Sequence, residues 1–150
     1  MDIVEEYYFE ATKNITEEIL KDHNQWYDYV LKLEKKLQVT YTIVIFHEQV
    51  FNGGIDQYYV NSYGIFSSIT IDNLRYIGSA KEADILEEVF LKLRKNYSDK
   101  EFINKLFWSD LNEIYEKEWE DFAEAKTEQY YELSEANHIY DNLEKYLTDK

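Results

Sequence analysis

Apolar residues recur at helical spacing along most of this chain. In "NITEEILKDHNQWYDYVLKLEKKL" (14–37), Ile19, Trp26, Val30, Leu33 and Leu37 form one stripe, the pattern of an amphipathic helix. Thr16 is placed to cap its start, Glu17 and Glu18 suit its positive end, and Lys32, Lys35 and Lys36 suit its negative end. "AKEADILEEVFLKLRKN" (80–96) carries Ile85, Leu86, Val89, Phe90 and Leu93 at the same spacing. A third helical signal runs from about Asp99 to Glu135, and "ANHIYDNLEKYLTD" (136–149) supplies a fourth. "VTYTIVIF" (39–46) departs from this pattern, because its β-branched and aromatic content favours a strand. No second segment offers a pairing strand, and a lone strand leaves backbone groups unsatisfied. The segment therefore reads as a central helix, buried on most sides and running into Phe51. The expected fold is all-α: a single domain over 1–150 with about six to eight helices.

Three of the four glycines, Gly53, Gly54 and Gly64, fall within "HEQVFNGGIDQYYVNSYG" (47–64). A helix ending at Phe51 can place Asn52 or Gly53 in the left-handed position after its end. Gly54 then lets a second, short helix leave at a sharp angle. Ile55, Tyr58 and Tyr59 lie at i, i+3 and i+4 and form its buried face. Gln57 and Asn61 are one turn apart, so their amides can bond each other or cap free backbone groups. Residues 62–64 stop that helix.

Composition excludes several classes. With 150 residues and a 45% hydrophobic share, the chain can bury a sizeable core. The absence of Cys removes disulfides, thiol catalysis and Cys-ligated zinc. The start, "MDIVEEYYFE", has neither the basic nor the apolar region of a signal peptide. The longest aliphatic and aromatic run, "IVIF", is far short of the ~20 residues of a membrane span. These features lead us to expect a cytosolic protein.

Charge changes the picture most. Sixteen basic residues stand against 31 acidic ones, a net charge of −15. Such a surface repels nucleic acid and anionic membranes and attracts basic partners; acidity serving solubility alone is the plain alternative. Residues 108–135 hold ten acids and two bases, Lys117 and Lys126. The first 22 residues hold seven acids against Lys13 and Lys21. On a helix, Asp110, Glu113, Glu120, Asp121, Glu124 and Glu128 fall on the side opposite Leu111, Tyr115, Trp119 and Phe122. Glu118 alone projects toward the apolar side. Like charges such as Glu120 with Glu124 and Glu124 with Glu128 destabilise an isolated helix by a few tenths of a kcal/mol each. Stability alone favours Lys at some of these positions. From Asp110 to Glu128 a helix spans about 27 Å, too sparsely charged to pass for duplex DNA at roughly one charge per 1.7 Å. Imitation of a duplex needs a second row, from Asp2, Glu5, Glu6 and Glu10 or from the same helix of a second copy.

Catalytic motifs do not emerge. His23, His47 and His138 are not spaced with acids as a metal site, and "HEQVF" lacks the second His of a zincin. No nucleophile elbow, dinucleotide fingerprint or phosphate-binding loop occurs. The residues imply no cofactor and no metal, and a non-enzymatic protein.

At the glycine segment the chain resembles a bacterial family, catalogued as a domain of unknown function, that includes a DNA-mimic protein from Neisseria. The shared pattern is carried by Glu48, Asn52, Gly53, Gly54, Ile55, Gln57, Tyr58, Tyr59 and Asn61, with Ile55 in place of the commoner aromatic. "LRYIGSAKEADILEEV" (74–89) and "YYELSEANHIYDNLEKYL" (130–147) resemble two later parts of the family. The resemblance implies an all-α fold and acidic helix surfaces that imitate DNA. By implication the partner is a basic DNA-binding protein, a transcription factor or a histone-like protein, with no direct contact to nucleic acid or membrane. An acidic helical module of another kind, such as an immunity protein that blocks a toxin, shares these electrostatics. In either case the nine residues of the glycine motif have a structural role and the carboxylates do the binding.

Overall fold

The computed structural model describes residues 2–108 and 118–149. Among the described residues the regular structure is all helical, in nine α-helices and one 3-10 turn, above the six to eight the periodicity predicts. In chain order they are α1 (Ile3–Thr12), α2 (Glu17–Lys21), α3 (His23–Lys32), α4 (Lys35–Val60), α5 (Ser67–Tyr76), α6 (Ala80–Arg94), α7 (Asp99–Phe107), α8 (Trp119–Ala136) and α9 (Ile139–Thr148). The 3-10 turn, Tyr63–Phe66, joins α4 to α5.

The extra helices come from local breaks. The single helix predicted over 14–37 divides into α2, α3 and the start of α4. Thr16 does cap the first piece, accepting a bond from Ile19 N–H at 3.2 Å. Asp22 then ends α2 and caps α3, its carboxylate accepting from Asn24 and Gln25 N–H at 2.9 and 3.3 Å. A second break at Leu33 and Glu34, both in extended conformations, puts Lys35 and Lys36 at the beginning of α4 rather than at a helix end. The apolar stripe survives the breaks: Trp26 and Val30 are buried, and Ile19, Leu33 and Leu37 pack against the core. The long signal over 99–135 is likewise not one helix. α7 closes at Trp108 and α8 opens after Glu118, which is exposed at its N-cap. Glu118 therefore does not face the core, because it precedes the helix whose periodicity assigns it there. Asp110, Leu111, Glu113 and Tyr115 lie outside the described residues.

The 39–46 segment is a helix, and it is the centre of the molecule. Every residue from Val39 to His47 is buried. α1, α3, α5 and α8 all pack against α4, so a run that reads as a strand in isolation is a helix apolar all round. Its two threonines are reconciled with burial by bonding back one turn. Thr40 and Thr42 hydroxyls donate to the Lys36 and Gln38 carbonyls at 2.8 and 2.9 Å. Asn73, from α5, donates to the Thr42 hydroxyl at 2.9 Å. The predicted core of α6, Ile85, Leu86, Val89, Phe90 and Leu93, is buried throughout.

Candidate functional site: the α4 kink and the acidic face of α8

Helix α4 bends at Gly54, with φ 86° and ψ 174°. That conformation is open to glycine almost alone. The sequence reading places the special conformation at Asn52 or Gly53; the structure moves it to Gly54, while Gly53 remains in the helical run. Beyond the bend the second arm behaves as its spacing predicts. Ile55, Tyr58 and Tyr59 are completely buried, and Ser62, in a left-handed conformation at φ 70°, follows its end. Gly64 has a packing reason, since a Cβ there would lie 2.2 Å from the Tyr59 ring.

The bend opens the helical ladder, and the freed Ile55 N–H is taken up by a residue far along the chain. It donates to the Thr127 hydroxyl of α8 at 2.9 Å, and that hydroxyl donates to the Ala123 carbonyl at 2.8 Å. The motif amides lie on the other side of the bend and form one chain. Gln57 and Asn61 do not bond each other; both donate to the Gln49 side-chain oxygen, at 3.0 and 2.9 Å. Asn52 donates in turn to the Gln57 oxygen at 3.2 Å. These bonds tie the first arm of α4 to the second and fix the angle between them. Tyr59 reaches the Ser67 hydroxyl at 2.9 Å, which anchors the second arm to α5. Asn52, Gln57, Asn61 and Tyr59 thus hold the two arms of α4 to each other and to α5.

Where α8 crosses the bend there is a recess of about 390 Å³. Gly53, Gly54, Ala123 and Thr127 line it, together with Asp56, Glu120, Glu124, Glu128 and Tyr131. Three of the predicted acids, Glu120, Glu124 and Glu128, therefore converge on one recess. Asp121 is exposed on the same helix but does not line it. None of the three has a basic partner among the described residues. Lys126 turns away to Glu88 of α6 and stacks over the Phe122 ring. Asp56 was not legible as a member of this group, because only the fold brings it to α8. The indole N–H of Trp119 holds its carboxylate at 2.7 Å.

Glu48 belongs to a second acidic recess of about 270 Å³, which it shares with Asp2, Glu5, Tyr8 and Tyr140. The Tyr140 hydroxyl donates to Glu48 at 2.8 Å. Burial and this carboxylate both push the phenol of Tyr140 up. The N-terminal acids are carried by α1, which packs on α4 and α9, whereas α8 packs on α4 and α6. Glu6 is exposed on α1, and Glu10 is engaged by Lys13 at 2.7 Å. Between the two recesses lies an aromatic group. His47 shares a 2.7 Å hydrogen bond with Tyr130 and sits against Phe51, His138 and Tyr140. Burial, with His138 alongside, holds the His47 imidazole down to about 4. No group of three or more His, Asp or Glu among the described residues could hold a metal ion, and no helix there is long and apolar enough to cross a membrane.

Among the described residues the fold is built wholly of helices, with a kinked central helix and two recesses lined by carboxylates. The chain belongs to the DMP19-like protein family, whose pattern matches residues 31–150. The matched part includes the kink and the acidic face of α8 and leaves out α1 and α2. No curated protein and no solved structure matches the chain.

Proposed function

We propose that this protein is a non-enzymatic DNA mimic that works in the cytoplasm as a single domain and occupies the basic surface of a DNA-binding protein. The observation that carries the proposal is the row Glu120, Glu124 and Glu128. These carboxylates recur about every 6 Å along α8, are exposed, and have no basic partner among the described residues. A row of that kind costs helix stability, so its presence supports a binding role. Membership of the DMP19-like family supports the same reading. Asp110 and Glu113 extend the row in sequence, and Asp121 adds charge beside it. The second row comes from Asp2, Glu5, Glu6 and Glu10, or from α8 of a second copy.

The test is capture from bacterial lysate on the immobilised protein at low salt, followed by competition with duplex DNA. A DNA-binding protein should be retained, released by the duplex, and lose affinity steeply as salt rises. If none is captured even at low salt, the proposal fails.

A further inference from the structure

The recess at the α4 kink differs from a plain row of charges. It is concave, and its walls are held in place. Trp119 fixes Asp56, the Tyr131 hydroxyl donates to the Val50 carbonyl at 2.9 Å, and Thr127 anchors the floor. Tyr131 forms one side, and beyond it the surface continues into Phe51. The two rings lie 4.8 Å apart, and Phe51 is 45% exposed. An exposed aromatic beside carboxylates that have no basic partner among the described residues is not what solubility requires. A copy of a phosphate backbone requires neither a cavity nor an apolar neighbour.

We propose that this recess receives one arginine side chain of a partner protein, with an adjoining apolar residue of the partner resting on Phe51. The inference rests on the reading of a basic partner given above and adds how that partner is recognised. At about 390 Å³, the recess lies near the lower end of ligand-sized pockets, roughly 300 to 1,000 Å³, which suits a single long side chain. The guanidinium is planar and forked, so it can engage two carboxylates while lying against the Tyr131 ring. Glu124 and Glu128, one turn apart, with Asp56 across the recess, supply those carboxylates. A lysine ammonium keeps the attraction but loses both the fork and the stacking.

The test uses the full chain, amide resonances as the readout, and two probes: acetyl-Leu-Arg-Leu-amide and its Lys counterpart. Shifts should concentrate at Phe51, Gly54, Ala123 and Thr127, and the Arg peptide should bind about tenfold more tightly than the Lys peptide. Phe51→Ser should weaken the Arg peptide about tenfold with charge unchanged. Glu124→Gln with Glu128→Gln should remove the localised shifts, whereas Glu17→Gln with Glu18→Gln on α2 should leave them in place. Equal affinity for the two peptides, or shifts spread evenly over the acids of α1, α2 and α8, overturns the inference without any variant being made. The two proposals can fail separately. A DNA-binding protein bound equally well by wild type and Phe51→Ser leaves the mimicry standing and removes the arginine site. A peptide seated in the recess with no DNA-binding protein captured does the reverse.

Discussion

Gly54 shows how one residue sets the geometry of the site. Its φ of 86° with ψ of 174° is a conformation that a side chain makes costly, by about 1–3 kcal/mol. A Cβ there would also meet the Thr127 hydroxyl at 3.3 Å. Gly54→Ala should lower stability by about that amount, read as a lower urea midpoint at unchanged slope. His47 is the second residue with a measurable consequence. Its folded-state value, about 4, lies below the ordinary 6.5, so between these two pH values the unfolded chain binds more protons at this site. Stability from His47 is therefore complete above about pH 6.5 and is lost as pH falls toward 4. Urea midpoints across that window should fall with pH in the wild type, and less steeply in His47→Gln; equal slopes would remove His47 from the account. The glycine pair pointed to a bend, but which glycine bends depends on Thr127, 72 positions from Ile55.

Among the elements, α4 and α8 depend on each other through that same bond. Ile55 has no helical acceptor for its N–H once the axis turns, and Thr127 supplies one from the neighbouring helix. Thr127→Val keeps the shape and removes the acceptor, leaving a buried donor unpaired, at a cost of about 1–3 kcal/mol. Thermal unfolding of this variant, with exchange of the Ile55 amide, checks it: the amide should lose protection in the variant if the hydroxyl is its partner. Helix positions were largely legible, since Trp26, Val30, Leu86 and Leu93 face inward as their spacing requires. The breaks at Asp22 and Glu118 were not. The apolar stripe runs past Asp22, and only a capping carboxylate with two backbone partners marks the interruption. The threonines of 39–46 favoured a strand locally. Burial on all sides, with hydroxyls bonded back to Lys36 and Gln38, makes the helix the better solution.

For the whole molecule, the proposed binding role of the acids runs against stability. At a net charge of −15, self-repulsion should make the melting temperature rise with added salt, the reverse of the effect on partner affinity. Glu120→Gln, Glu124→Gln and Glu128→Gln combined should leave the fold as stable or raise it by a few tenths of a kcal/mol, while partner capture is lost. A triple variant that unfolds would show that the row serves the fold instead, and a folded one that still captures its partner would remove the row from binding. The concentration of acid on one face of α8 could be read from composition and helical period alone. So could the all-helical class, the buried faces of α4 and α6, and the bend near the glycine pair, because each follows from spacing over a few turns. Other features were settled only by tertiary structure. It brought Asp56 beside Glu124 and Glu128, Glu48 beside Asp2 and Glu5, and Phe51 next to Tyr131. It also chose Gly54 over Gly53. The physical reason is one of range: a 3.6-residue period orders side chains within a helix, whereas the recess joins helices some seventy residues apart, and their packing alone decides which carboxylates share it.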